Sequence, residues 1–354
     1  MTARTKIKAA TLLCVIAVGA CDPGLPLAIP AHLPAPVFPD DNVPTAAKVA
    51  LGDVLFHDTR LSANQTQSCS SCHDRALAFS DGEVLPTGST GDIVPKNSMA
   101  LMNLAWASTL TWANPVLTTL EDQALVPLFA DHPDAIELGI SAVVPEVLAR
   151  FEPERAQFEE AFPGEDDAVT IANVAKAIAS FERSLISADS RYDRYVYGGE
   201  DSALTDVEKR GLQLFFSERA ECYHCHGGVF FSSAITFAGT TATESGYENN
   251  GVHDADAADV APVHLGLFAI TGEPRDRGRF KVPTLRNIAL TGPYMHDGSL
   301  ATLEDVMAHY MRGGVLSERQ SALVRPLDLS EEEQAALLAF LRALTDDAFV
   351  AQRP

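Results

Sequence analysis

Along residues 169–186, VTIANVAKAIASFERSLI, apolar side chains recur at Ile171, Val174, Ile178, Phe181 and Leu185. Spacings of three and four draw one stripe down an α-helix. Two further helices announce their first turns. LTDVEKRGLQLFFS opens with Thr205 and Glu208, and LSEEEQAALLAFLRAL with Ser330 and Glu333, each a hydroxyl followed three residues later by a carboxylate. That pairing satisfies two unpaired backbone N–H groups at a helix start. In TLEDVMAHYM, Leu303, Val306 and Tyr310 share one face. Alternating strand patterns are sparse, and residues 238–279, rich in Gly, Thr, Asn and Asp, carry no period and read as a long loop. The expected fold is mainly α.

The first 20 residues, MTARTKIKAATLLCVIAVGA, place Arg4, Lys6 and Lys8 before an apolar run too short to span a bilayer. They read as a secretory leader. The run ends in VGAC, similar to a bacterial lipobox, so Cys21 is expected to be the lipidated first residue of the mature chain. The Pro-rich residues 21–50 then form an extended tether that wraps onto the first domain. SADSRYDRYVYGGEDSALT, with Gly198 and Gly199 ahead of a capped helix, sets the expected boundary between domains 51–197 and 198–354. At 354 residues the chain has room for two cores. No internal repeat is visible beyond one doubled motif.

The formal charge is −22, and removal of the three leader cations takes it to −25. Nucleic acid is excluded as a partner by that balance.

The doubled motif carries the chemistry. Cys-x-x-Cys-His occurs at Cys69, Cys72 and His73, and again at Cys222, Cys225 and His226. This is the attachment spacing of a c-type haem, with two thioether sulfurs and one histidine on the iron. Zinc would need further thiolates, and none remains once Cys14 leaves with the leader and Cys21 takes lipid. Two covalent haems, one per domain, also place the protein in the periplasm, held at a membrane by its lipid alone.

What occupies the far side of each iron decides between electron transfer and peroxide chemistry. No histidine lies between His73 and His132, and Met99 and Met102 look like packing residues, so the first iron is expected to be open. For the second iron the candidates are Met295, His296, Met307, His309, Tyr310 and Met311, and residue chemistry alone does not choose among them.

LGDVLFHDTRLSANQTQSCSSCH, TWANPVLTTLEDQALVPLF and KVPTLRNIALTGPYMHDGSLATLEDV resemble the bacterial dihaem cytochrome c peroxidase/MauG superfamily over roughly residues 50–350. Within it the likeness is greatest to MbnH-type enzymes, which accompany a copper-related partner called MbnP. The resemblance implies two cytochrome c-like domains and a peroxide-reacting haem on His73. By the same matching, Gln123 and Glu137 belong to its distal pocket, with Glu137 moving protons, and Trp112 is the relay between the haems. A calcium ion would be held by Asn97, Thr291 and Pro293, the last two through backbone oxygen. The other tryptophan, Trp106, is expected in the core. Two departures from ordinary peroxidases stand out. The loop around Ser89 lacks their distal histidine, and Tyr310 stands where they carry the methionine ligand. A phenolate oxygen favours higher oxidation states than a thioether does. The resemblance therefore implies that hydrogen peroxide generates a high-valent dihaem state, which oxidises an MbnP-like partner protein, at a tryptophan side chain, by long-range electron transfer. The alternative is a peroxidase fed electrons by a small cytochrome or cupredoxin. A pure electron carrier needs both irons capped, which the missing histidine opposes.

Overall fold

The structure, a computed structural model, describes residues 27–129, 137–240 and 246–351. The expected leader, the expected lipidation at Cys21 and His132 lie outside the described residues. The fold is helix-rich, as the periodicities predict. Among the described residues the only sheet is two strands, Tyr247–Glu248 antiparallel to Phe280–Lys281. None of the described helices is long and apolar enough to cross a membrane.

Two hydrophobic cores organise the chain, each built on a crossed helix pair. In the first, Ala46–His57 packs on Ile171–Ser184; in the second, Asp206–Phe215 packs on Glu331–Arg342. Val174, Ile178, Phe181 and Leu185 of the predicted stripe are all buried in the first core. Both anticipated capping boxes form, at Thr205/Glu208 and Ser330/Glu333, and others form at Thr302/Asp305 and Ser190/Asp193.

The halves repeat one another beyond the doubled motif. At each crossing a glycine lets the helices meet. A Cβ on Gly52 would lie 2.0 Å from the Ala177 carbonyl oxygen, and one on Gly211 would lie 2.0 Å from that of Ala336. The next neighbours are Phe181 and Phe340. Every member of the second set follows its counterpart by 159 positions (52 to 211, 177 to 336, 181 to 340). The rings agree: Phe56 meets Phe181 at 5.0 Å, and Phe215 meets Phe340 at 5.3 Å. Burying each such ring contributes about 1.5–3 kcal/mol. The glycines are therefore the price of a close, repeated helix contact.

A third cluster joins the halves. Trp106 is fully buried, as expected, against Leu33, Ala105, Ala188 and Phe230, and its Nε1 donates to the Pro34 carbonyl at 2.8 Å. The Pro-rich segment thus wraps over the junction of the two halves. Tyr192 packs in the second core, while Phe349, near the end of the described chain, returns to the first. Arg286, 0 % exposed, forks onto Asp193 with two bonds of 2.8 Å and ties helix Arg191–Val196 to the segment behind the second haem motif.

Candidate haem sites

Both Cys-x-x-Cys-His motifs fold into the same local device. Cys69–Ser71 and Cys222–His224 are single 3-10 turns, and each histidine follows on a fixed ring orientation. His73 Nδ1 bonds the Phe79 carbonyl at 2.8 Å, and His226 Nδ1 bonds the Phe231 carbonyl at 3.0 Å. A proton kept on Nδ1 leaves the lone pair on Nε2, the tautomer that ligates iron. Phe79 and Phe231 present these carbonyls because their backbones are left-handed, at φ 63° and 50°. That conformation is costly for a ring-bearing residue and is held by burial of both side chains. Burial also pushes the Cys72 thiol up to about 11 and Cys222 up to about 12. A redox-active Cys pair needs the opposite shift, so the thioether reading fits these thiols and the dithiol reading does not.

A cavity of about 200 Å³ opens in the second half, lined by Cys222, Cys225 and His226 on one side. Tyr310, Met295 and Trp112 are among its other walls. Its donor set and apolar lining fit a c-type haem. Of the candidate second ligands, Tyr310 and Met295 reach the cavity sharing one donor: Asn250 Nδ2 lies 3.3 Å from both the phenol oxygen and the Met295 sulfur. Burial pushes the Tyr310 phenol up to about 12. Met307 and His296 also line the cavity, but Met307 belongs to the core. The His296 ring lies flat on Phe280 at 3.7 Å, and burial pushes it down to about 3. His309 turns its Nε2 to the Asn250 carbonyl at 2.9 Å, and Met311 packs against the second core.

At the first motif, Glu137 is placed by backbone bonds rather than by a helix. Its carbonyl accepts from Ser89 at 2.8 Å, and Leu138 N donates to the Pro127 carbonyl at 2.9 Å. Pro127 lies in helix Leu120–Phe129 one turn beyond Gln123, so the helix carrying Gln123 is bonded to the irregular segment that carries Glu137. Burial raises the Glu137 carboxyl above the ordinary range, and its charge is felt at both Cys69 and Cys72. The loop at Ser89 is held by Asn64 Nδ2 at 2.6 Å and carries no histidine.

Trp112 bridges two sites. It lines the second-half cavity and a smaller one of about 80 Å³ that Asn97, Thr291 and Pro293 also line. Its Nε1 donates to the Asn97 carbonyl at 2.8 Å, and its own carbonyl accepts from Lys281 N at 2.8 Å. The Lys281 side chain lines both cavities, and burial pushes its ammonium down to about 8. Asn250 and Lys281 escaped the sequence reading because a lone Asn or Lys carries no spacing signal.

The description "Di-haem cytochrome c peroxidase" belongs to a family model that matches residues 46–201. The methylamine utilization protein MauG of Methylorubrum extorquens is 34% identical over 86% of this chain and 80% of its own length. The cytochrome c peroxidase Ccp of Escherichia coli is 34% identical over 89% of this chain and 62% of its own. Among solved structures, a MauG-like protein associated with microbial copper homeostasis superposes with TM-score 0.87 at 44% identity, covering 92% of this chain and 97% of that one.

Proposed function

The chain belongs to the di-haem cytochrome c peroxidase/MauG family and is a haem oxidoreductase, and on that premise we propose that it uses hydrogen peroxide to oxidise a tryptophan side chain of an MbnP-like partner protein. The observation that carries this reading is Tyr310. Its phenol reaches the cavity of Cys222, Cys225 and His226 at the position where ordinary peroxidases are expected to carry methionine. A phenolate ligand disfavours the ferrous state, which makes this haem a poor electron store and a good holder of an oxidising equivalent. The relative at 44% identity, described as MauG-like and linked to copper homeostasis, supports the same choice.

The two haems, when bound, supply the redox chemistry of peroxide reduction. The rest falls to side chains. Cys69, Cys72, Cys222 and Cys225 would hold the two haems covalently, and His73, His226 and Tyr310 are the residues that would ligate iron. Glu137 takes a proton from one peroxide oxygen and returns it to the other, which departs as water; its raised carboxyl suits both halves of that transfer. Gln123 orients the peroxide. Trp112, on the wall shared by the two cavities, relays charge, and the partner protein loses two electrons per peroxide reduced. Each core with its motif forms one haem domain, divided near residues 197–198. Asn97, Thr291 and Pro293, which line the smaller cavity, would hold a calcium ion through oxygen. The protein works in the periplasm, anchored by lipid on Cys21.

Met295, at the same wall and on the same Asn250 donor, favours a second reading: a peroxidase fed by a small cytochrome or cupredoxin. Tyr310→Met separates the two. The variant should keep both haems, raise the potential of the second, and lose partner-protein oxidation while still consuming peroxide with small donors. Partner oxidation at the wild-type rate would overturn the leading reading.

A further inference from the structure

At the edge of the second haem cavity, three imidazoles and a carboxylate converge where the long loop crosses the turn at residues 296–297. His253, His264, His296 and Asp297 each direct one ligand atom into a space where all four lie within 4.8 Å of one another. His253 Nε2 meets Asp297 Oδ2 at 2.6 Å, and His264 Nδ1 meets His296 Nε2 at 2.9 Å. The rings of His253 and His264 stack at 3.7 Å. We propose that these four residues bind one divalent transition-metal ion of the zinc or copper class.

The donor set selects the ion. Three nitrogens and one carboxylate suit zinc(II) or copper(II) and are wrong for calcium, which takes oxygen ligands. Four ligands at about 2.0–2.2 Å is the ordinary zinc count and geometry. The contacts of 2.6 and 2.9 Å are hydrogen bonds whose protons the ion would displace. The shell around the ligands is also in place. His296 is buried and clamped on Phe280, its carbonyl accepts from Asn97 N at 2.9 Å, and Asp297 Oδ1 accepts from Ser299 N at 3.1 Å. Such outer bonds fix ligand direction. Besides Asp297, the charge felt at His264 and His296 is that of Lys96, so the site has one anion and one cation beside it before the ion enters. His253 and His264 are half-exposed, which gives the ion a route in. Among the described residues the other group with metal-ligand spacing, Glu218, Glu221 and His224, has a single imidazole, and Arg325 already pairs with Glu221 at 2.7 Å.

Because His296 also lines the second-half cavity, an ion here would pin the loop to the wall of that cavity. The test uses the dihaem holoprotein, stripped with a chelator and returned to excess calcium. Zinc is then added and counted by mass spectrometry after gel filtration. Wild type should retain one zinc per chain and melt at a higher temperature with zinc than without. His264→Ala and His253→Ala should retain none at the same free zinc, with unchanged haem content and unchanged zinc-free melting. With copper(II), paramagnetic resonance should show nitrogen couplings that weaken in each variant. No retained zinc in wild type, or equal retention in wild type and both variants, would overturn the site.

Discussion

Gly52→Ala and Gly211→Ala test whether the repeated helix crossing holds each half together. An alanine in a helix interior ordinarily stabilises it by about 1 kcal/mol over glycine. Here the sign should reverse. The added carbon would lie 2.0 Å from a backbone carbonyl oxygen, with Phe181 Cβ at 2.8 Å or Phe340 Cβ at 2.7 Å behind it. Comfortable separations are about 3.5–4.0 Å, so the helices must part by more than about 1 Å. Overpacking against an obstacle that cannot rotate away costs about 1–3 kcal/mol, and the upper end applies to backbone. Net of the helix gain, each variant should lose about 2 kcal/mol, or roughly 4–8 °C in a domain of this size. The assay is thermal unfolding of the holoprotein followed at each haem. Gly52→Ala should loosen the half carrying His73 first, and Gly211→Ala the half carrying His226. Melting of both variants at or above the wild-type temperature would refute the crossing as drawn.

Further outcomes follow from the buried charges at Glu137 and Asp193. Glu137→Gln should slow the reaction with peroxide by about 100-fold while haem content is unchanged. As a base Glu137 must be ionised, so the wild-type rate should fall as pH drops through a value above the ordinary carboxylate range, and the variant should lack that limb; an identical pH profile removes Glu137 from the chemistry. Arg286→Met leaves Asp193 buried without its partner and should cost about 3–5 kcal/mol in denaturant unfolding, whereas a loss under about 1 kcal/mol would show that the pair is dispensable. Although burial pushes the Asp193 carboxyl up, Arg286 holds it below the usual range, so the pair's contribution is present above the unfolded carboxylate value and is lost as pH falls toward the lowered one.

The haem motifs, the capped helices and the Phe181 stripe were legible because each is set by local spacing. A turn needs Cys-x-x-Cys-His in that order, and a helix start needs its hydroxyl and carboxylate three apart. Trp106 was likewise readable as core. The repeat was missed although its letters are there: Gly52 and Gly211 each open Gly-x-x-Leu-Phe, and Ala177 and Ala336 each open Ala-x-x-x-Phe, but motifs this short recur by chance and only the shared helix crossing gives them meaning. Long-range convergence defeated the reading in the same way at His253, His264 and His296. Two of them sit in an aperiodic loop, and the third had been weighed only as an iron ligand. Tyr310 lay between these cases: helix period turned it inward, yet Met295 reaches the same wall through the left-handed backbone at φ 77°, which no period predicts.

The central claim is that peroxide acts on the oxidised protein and that the oxidising equivalents are then delivered to another protein. Its most direct test is rapid mixing of the fully ferric dihaem protein with hydrogen peroxide, with no reductant present, while the spectra of both haems are followed. The account predicts that both spectra change at once, that the oxidised form persists until a protein substrate is added, and that Tyr310→Met abolishes the change at the second haem. If the ferric protein is inert until an electron donor reduces the second haem, the account is contradicted and the electron-fed peroxidase stands.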